Sequence, residues 1–239
     1  MKTHACIIII TAFAMAACSN KSPLPDWQQL QLDVREERVD KEKGTERLRA
    51  INSELKDYAE KNYTFEESKW AYPLSGYSWT KIYKKDFAPN AYYGPYRTKG
   101  YEFFSGNKHG GHPAFDVFIK DLNQDSLDDK TKKLVNAVSM TDALVISICY
   151  EWEPGSKLRG GKYVWTYNPK EEKYFYYAHL RNVLVQPGQF VKKGGILGTV
   201  GRTGLLAAMK RSPTHVHLMV LQYKGGEMTP FNFYDKIKR

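Results

Sequence analysis

From Phe115 onward the chain alternates short apolar, β-branched runs with turn residues. The runs are FDVFI, LVNAVSM, ALVISICY, KYVWTY, KYFYYAHL, NVLV, ILGTVG and HVHLMVLQY, and the breaks include NPKEEK, QPGQ and KKGG. Runs of this length, bounded by Gly, Asn and Pro, predict strands joined by tight turns. The fold class they predict is mainly β, an antiparallel sheet domain over residues 72–239. Residues 70–101 carry aromatic and turn residues with little periodicity and predict loops with short strands. The pattern differs ahead of them. Leu48, Ile51, Leu55 and Tyr58 recur at three and four residues, which predicts one or two amphipathic helices in an extension over residues 27–65. Gly44-Thr45 is the expected break and cap between them.

The first residues form a third pattern. MKTHACIIIITAFAMAAC has a basic start and an apolar run too short to span a bilayer as a stable helix, so residues 1–17 are expected to be a signal peptide. Its end, Met15-Ala16-Ala17-Cys18, resembles the bacterial lipoprotein cleavage signal, which implies lipidation of Cys18 and a lipid anchor in a membrane. The polar, proline-bearing residues 18–26 then read as a tether. Cys149, in the apolar run ALVISICY, is expected to be a buried, unreactive thiol.

Aromatic residues at 14% and charged residues at 26% exclude a disordered chain. The net charge of +10 suits nucleic acid, an anionic membrane or an acidic wall polymer. An exported chain favours the envelope polymers, and no nucleic-acid partner is expected.

Beyond the leader the histidines are His109, His112, His179, His215 and His217. His215 and His217 stand two apart in THVHLMV, so on a strand both rings project from one face and Val216 from the other. His112 and Asp116 lie four apart at the entry to another apolar run. Two imidazoles and a carboxylate are a common zinc set that leaves a position open for water. Strict alternation along FYYAHL would put Tyr174, Tyr176 and Ala178 on one face and Phe175, Tyr177 and His179 on the other. His179 is a candidate for acid/base or supporting duty.

HPAFD, YYAHL, VQPGQFVKKGGILGTVGRTG and HVHLMV, in this order, resemble the lysostaphin-type (LytM) zinc metallopeptidases over about residues 72–223. The resemblance implies a compact antiparallel β domain with a groove and peptidoglycan as substrate. It also implies one Zn2+ bound by His112, Asp116 and His217, with His179 and His215 as catalytic histidines. Lipid anchoring would place such an enzyme in the cell envelope, facing the periplasm, most simply on the outer membrane. The alternative within the family is a non-catalytic regulator that binds wall and activates another hydrolase. Such members typically lose metal ligands, and here all five positions are filled.

The chain departs from the family at Pro113-Ala114-Phe115 between the first His and Asp, and in an acidic insertion after that motif. His109 reads as a loop residue. Asp121, Asn123, Asp125, Asp128 and Asp129 offer hard oxygen ligands, so Asp121 to Asp129 is a candidate Ca2+ loop, although it lacks the glycine and closing glutamate of a calcium hand. The Tyr92 to Tyr96 loop could wall the groove, and the helical extension could cover it.

Overall fold

The structure, a computed structural model, describes residues 22–77 and 96–237. Residues 1–17, Cys18, most of the tether, and Tyr92 and Tyr93 lie outside the described residues.

Among the described residues two helices come first, α1 (Leu24–Arg35) and α2 (Lys41–Asn62). The break falls at Glu36–Asp40 and not at Gly44-Thr45. Asp40 is the N-cap, its side chain accepting from Lys43 N at 2.9 Å, so the orphan amides at the start of α2 are met there. Gly44 lies within α2 for a packing reason. A Cβ at Gly44 would stand 2.4 Å from Cε1 of the buried Phe104 ring, so its missing side chain lets helix and ring meet.

Among the described residues nine strands follow: β1 (Ala114–Phe118), β2 (Asn136–Val138), β3 (Ala143–Cys149), β4 (Lys162–Asn168), β5 (Lys173–Val183), β6 (Phe190–Val191), β7 (Ile196–Val200), β8 (His215–Lys224) and β9 (Glu227–Pro230). The main path runs β1-β8-β5-β4-β3-β6, and its pairings are antiparallel, as the apolar runs predict. β7 joins β2 to β5, and β9 pairs with β8.

The sheet has two unlike faces, fixed by alternation. Phe115, Val117, Val216, Leu218, Phe175, Tyr177 and Val164 point to one side, into a core closed by Trp70, Leu74, Met140 and the residues of β2 and β7. Tyr163, Trp165, Tyr174, Ala178, Met219 and Leu221 point to the other, where the helices cover part of the surface with Trp27, Leu30, Leu48, Ile51 and Leu55. The helical extension therefore shares a core with the sheet. Trp27 is fully buried, stacked on Tyr174 with ring centroids 4.9 Å apart and set edge-on to Trp165 at 6.2 Å. Cys149 is half-buried at the end of β3, not buried as expected, with Sγ within 3.8 Å of Arg35 Nη1.

Trp27→Ala should lower the stability of the whole fold by about 3–5 kcal/mol, because it empties a buried indole site shared by helix and sheet. Urea unfolding read at the remaining tryptophans should show one transition at a lower midpoint. An unchanged midpoint for the sheet would mean that the helices are an independent appendage.

Candidate metal and catalytic centre

The part of the second face that the helices leave open is a groove. Its centre is made by β8, which runs between β1 and β5. Asp116 of β1 lies directly opposite His217, and Ala178 of β5 lies opposite His217 on the other side. The alternation read from THVHLMV holds. Val216 is fully buried in the first core, while His215 and His217 both face the groove.

His179 departs from strict alternation. Its φ is +64°, and the pairing of β5 with β4 slips between Lys162 and Val164. Here β5 leaves β8, whose last partner on it is Ala178, and picks up β7 from Leu180. This bulge inserts a residue and turns His179 off the Phe175/Tyr177 face into the groove, with its ring centroid 4.9 Å from His215 and 5.5 Å from His217. A non-glycine residue in left-handed backbone marks a place where tertiary structure imposes the conformation. Gly204 makes room for it. Its φ is +110°, and a Cβ there would lie 2.3 Å from Arg159 O and 2.8 Å from His179 Nδ1.

His112 precedes β1 and is held by its backbone. It exchanges two hydrogen bonds with Arg97, N to O at 2.7 and 2.8 Å. Its Nε2 stands 3.3 Å from Asp116 Oδ1, and His217 Nδ1 stands 3.1 Å from the same oxygen. Those three donor atoms lie within 4.8 Å of one another, and they are the one such group of three among the described residues. Donors about 2.0–2.2 Å from a tetrahedral zinc stand roughly 3.4 Å apart, so the two shorter separations fit one shared cation.

Charge state agrees with the geometry. Burial lowers the pKa of His217 to about 4, against the raising effect of Asp116, so the ring is a neutral ligand at physiological pH. Burial by itself would raise Asp116, but His215 beside it and the contacts from His112 and His217 outweigh this and hold the carboxyl well below its usual range. It is a carboxylate.

The remaining two histidines are oriented alike. His179 Nδ1 lies 2.8 Å from Thr203 O, and His215 Nδ1 lies 2.7 Å from Pro213 O. A carbonyl only accepts, so each Nδ1 carries the hydrogen and each Nε2 presents its lone pair in the neutral ring. Burial, reinforced by His215 and His217, holds the pKa of His179 well below the usual imidazole value. The site thus offers three convergent donors and two further imidazoles turned to the same groove, one of them a buried neutral base.

His109 is near this cluster but outside it. It lines the groove, sets its ring edge-on to Tyr101 at 5.0 Å and turns Nδ1 toward Gly110 O at 2.9 Å. The candidate Ca2+ loop is corrected by the fold, because its carboxylates are engaged by the protein. Asp121 accepts from the amides of Asp125 and Ser126 and from the Thr214 hydroxyl, Asp125 from Leu127 N, Asp128 from Thr131 N and the Tyr77 hydroxyl, and Asp129 from Leu122 N. They cap a loop and brace the entry to β8, and they do not converge as a ligand cage. The sequence reading missed the other walls of the groove: Gln31 and Arg35 of α1, the aromatic floor of Tyr163, Trp165 and Tyr176, and Arg159. These residues are far apart in sequence, and no local spacing marks them.

Residues 127–230 match the family model of Peptidase family M23. Over that stretch the β domain is similar to peptidase family M23. The matched stretch contains His179, His215 and His217, while His112 and Asp116 precede it and line the same groove, Asp116 through the β1–β8 pairing. Similar solved structures include a Ruminococcus gnavus protein assigned as a glycyl-glycine endopeptidase LytM (27% identity, 52% of this chain and 45% of that one, TM-score 0.40). They also include the catalytic domain of lysostaphin from Staphylococcus simulans (20%, 62% and 89%, TM-score 0.39) and a zinc-containing peptidase from Vibrio cholerae (19%, 69% and 39%, TM-score 0.38). The alignment spans 45% and 47% of the first two structures, the second being lysostaphin itself. No curated protein matches.

Asp116→Ala should abolish stoichiometric zinc binding, whereas His109→Ala should retain about one zinc per chain. Elemental analysis of the dialysed proteins, with circular dichroism to confirm folding, checks both.

Proposed function

We propose that this β domain is a zinc-dependent endopeptidase that hydrolyses cross-links or stem peptides of bacterial peptidoglycan, working from a lipid anchor at Cys18 on the periplasmic face of the envelope, at the outer membrane. The observation that carries the enzymatic part is the pairing of three donors on one cation position with two neighbouring imidazoles whose Nε2 lone pairs face the same groove. The family match and the net charge of +10, which suits an anionic wall, support the substrate.

In this reading His112, Asp116 and His217 hold the metal, and His179 and His215 are the catalytic residues. Zinc at that position supplies Lewis acidity, which acidifies water and polarises a peptide carbonyl. The rest of the chemistry belongs to the chain. The neutral Nε2 of His179 or His215 takes the proton from water as its oxygen attacks the carbonyl carbon. The imidazolium so formed stabilises the charge that develops on the carbonyl oxygen, and then gives the proton to the departing amide nitrogen as the C–N bond breaks. The bonds from Nδ1 to the carbonyls of Thr203 and Pro213 hold both rings in the tautomer this requires.

His179→Ala should keep zinc but lose at least about a hundredfold in turnover of purified sacculi, while His217→Ala should lose both metal and turnover. Mass spectrometry of released muropeptides is the measurement, and it also identifies the bond cut. Release of muropeptides by His217→Ala at the unsubstituted rate would refute the assignment. A protein that holds no zinc and releases nothing would instead be a non-catalytic wall-binding regulator.

A further inference from the structure

We infer that Arg35, on the helical extension, is a specificity residue that binds a carboxylate of the substrate peptide about three residues from the scissile bond. The inference rests on the peptidase reading above and adds to it the chemistry of a second subsite. Trp27, Leu30 and Val34 root α1 in the core shared with the sheet, so this helix is a fixed wall of the groove and not a detachable cover. Arg35 closes α1 and lines the same cavity as the histidines, a space of about 480 Å3.

Its place across the sheet gives the spacing. The metal ligands sit on β1 and β8, whereas Arg35 Nη1 reaches Tyr163 of β4 at 3.3 Å and Cys149 of β3 at 3.8 Å. From β8 through β5 to β4 is two strand spacings, roughly 10 Å, and an extended peptide covers that in about three residues at ~3.3 Å each. The floor between is formed by Tyr176 and Trp165, whose rings lie 4.6 Å apart and offer an apolar bed for the intervening backbone.

The guanidinium is short of partners for a group so enclosed. Its side chain is 17% exposed and carries five N–H donors. Nε is buried without a hydrogen bond, the contacts of Nη1 are a long bond to a phenol and a weak one to sulfur, and Nη2 meets Glu36, a 40% exposed residue at the rim. An under-bonded charge gains more from an incoming carboxylate than a solvated one does. The potential favours the same ligand. Arg97, Arg159 and Arg211 also line the cavity, where Asp116 is the only carboxylate among the described lining residues and would be neutralised by its cation. Arg159 is committed elsewhere, with Nη1 donating to the carbonyls of Asn107 and His109.

The test is steady-state hydrolysis by the full chain of synthetic cross-linked dimeric stem peptides in three forms: all carboxylates free, chain-end carboxylates amidated, and every carboxylate amidated. The free form should exceed the fully amidated one in kcat/KM by about tenfold or more, the worth of a charge-assisted hydrogen bond. The intermediate form tells a terminal from a side-chain carboxylate. In Arg35→Met the ratio of free to fully amidated should collapse to about one. Arg35→Lys, which keeps charge and stem but loses the planar fork, should leave an intermediate ratio and serves if the methionine variant does not fold. Equal rates for all three forms in the unsubstituted protein, or a ratio that survives in Arg35→Met, would overturn the inference. If no form is cleaved, the peptidase reading falls, and calorimetric binding of the same peptides to the unsubstituted and Arg35→Lys proteins decides the subsite by itself.

Discussion

Asp116 and His217 face one another across the β1–β8 pair, 3.1 Å apart at their nearest side-chain atoms, although a hundred residues separate them in the chain. An antiparallel pairing fixes which residues stand opposite, and a slip of one residue in either strand would send its member of the pair to the other face of the sheet. That slip is blocked by Val117 and Val216, the neighbours that point into the first core. The candidate metal position therefore inherits its precision from apolar packing on the far side of the same two strands.

The sheet divides its labour by face. One side is closed by its own loops and short strands into a core. The other is shared between two helices and a groove, and the buried indole of Trp27 marks the boundary. Because the helices occupy the face that carries the histidines, they shape the groove's length and chemistry, and α1 contributes Gln31 and Arg35 to its wall. A feature that reads as an appendage in sequence is part of the site in space.

One of the groove histidines owes its orientation to an unusual backbone. His179 stands in left-handed backbone at the point where β5 changes partner from β8 to β7, beside Gly204, which no side chain could replace without meeting the imidazole. A bulge costs pairing locally and here re-aims one ring into the groove. The carbonyls of Thr203 and Pro213 then fix the proton on Nδ1 of His179 and His215, so the loops around β7 and β8 set the tautomers on which the proposed proton transfers depend.

Much of this was written in the residues themselves. Period-two apolar runs specify strands and faces, so His215 and His217 share a side by necessity. Long-range pairing decided the rest. Alternation misplaced His179 because a bulge is set by partner strands and leaves little trace in the local pattern. Gly44 was read as a helix breaker because its contact with Phe104 is tertiary. The aspartates from Asp121 to Asp129 resembled a cation loop because composition reveals oxygen donors but not the amides and the Thr214 hydroxyl that claim them. Arg35 carried no signal at all, since only the fold brings its guanidinium to the groove that holds the histidines.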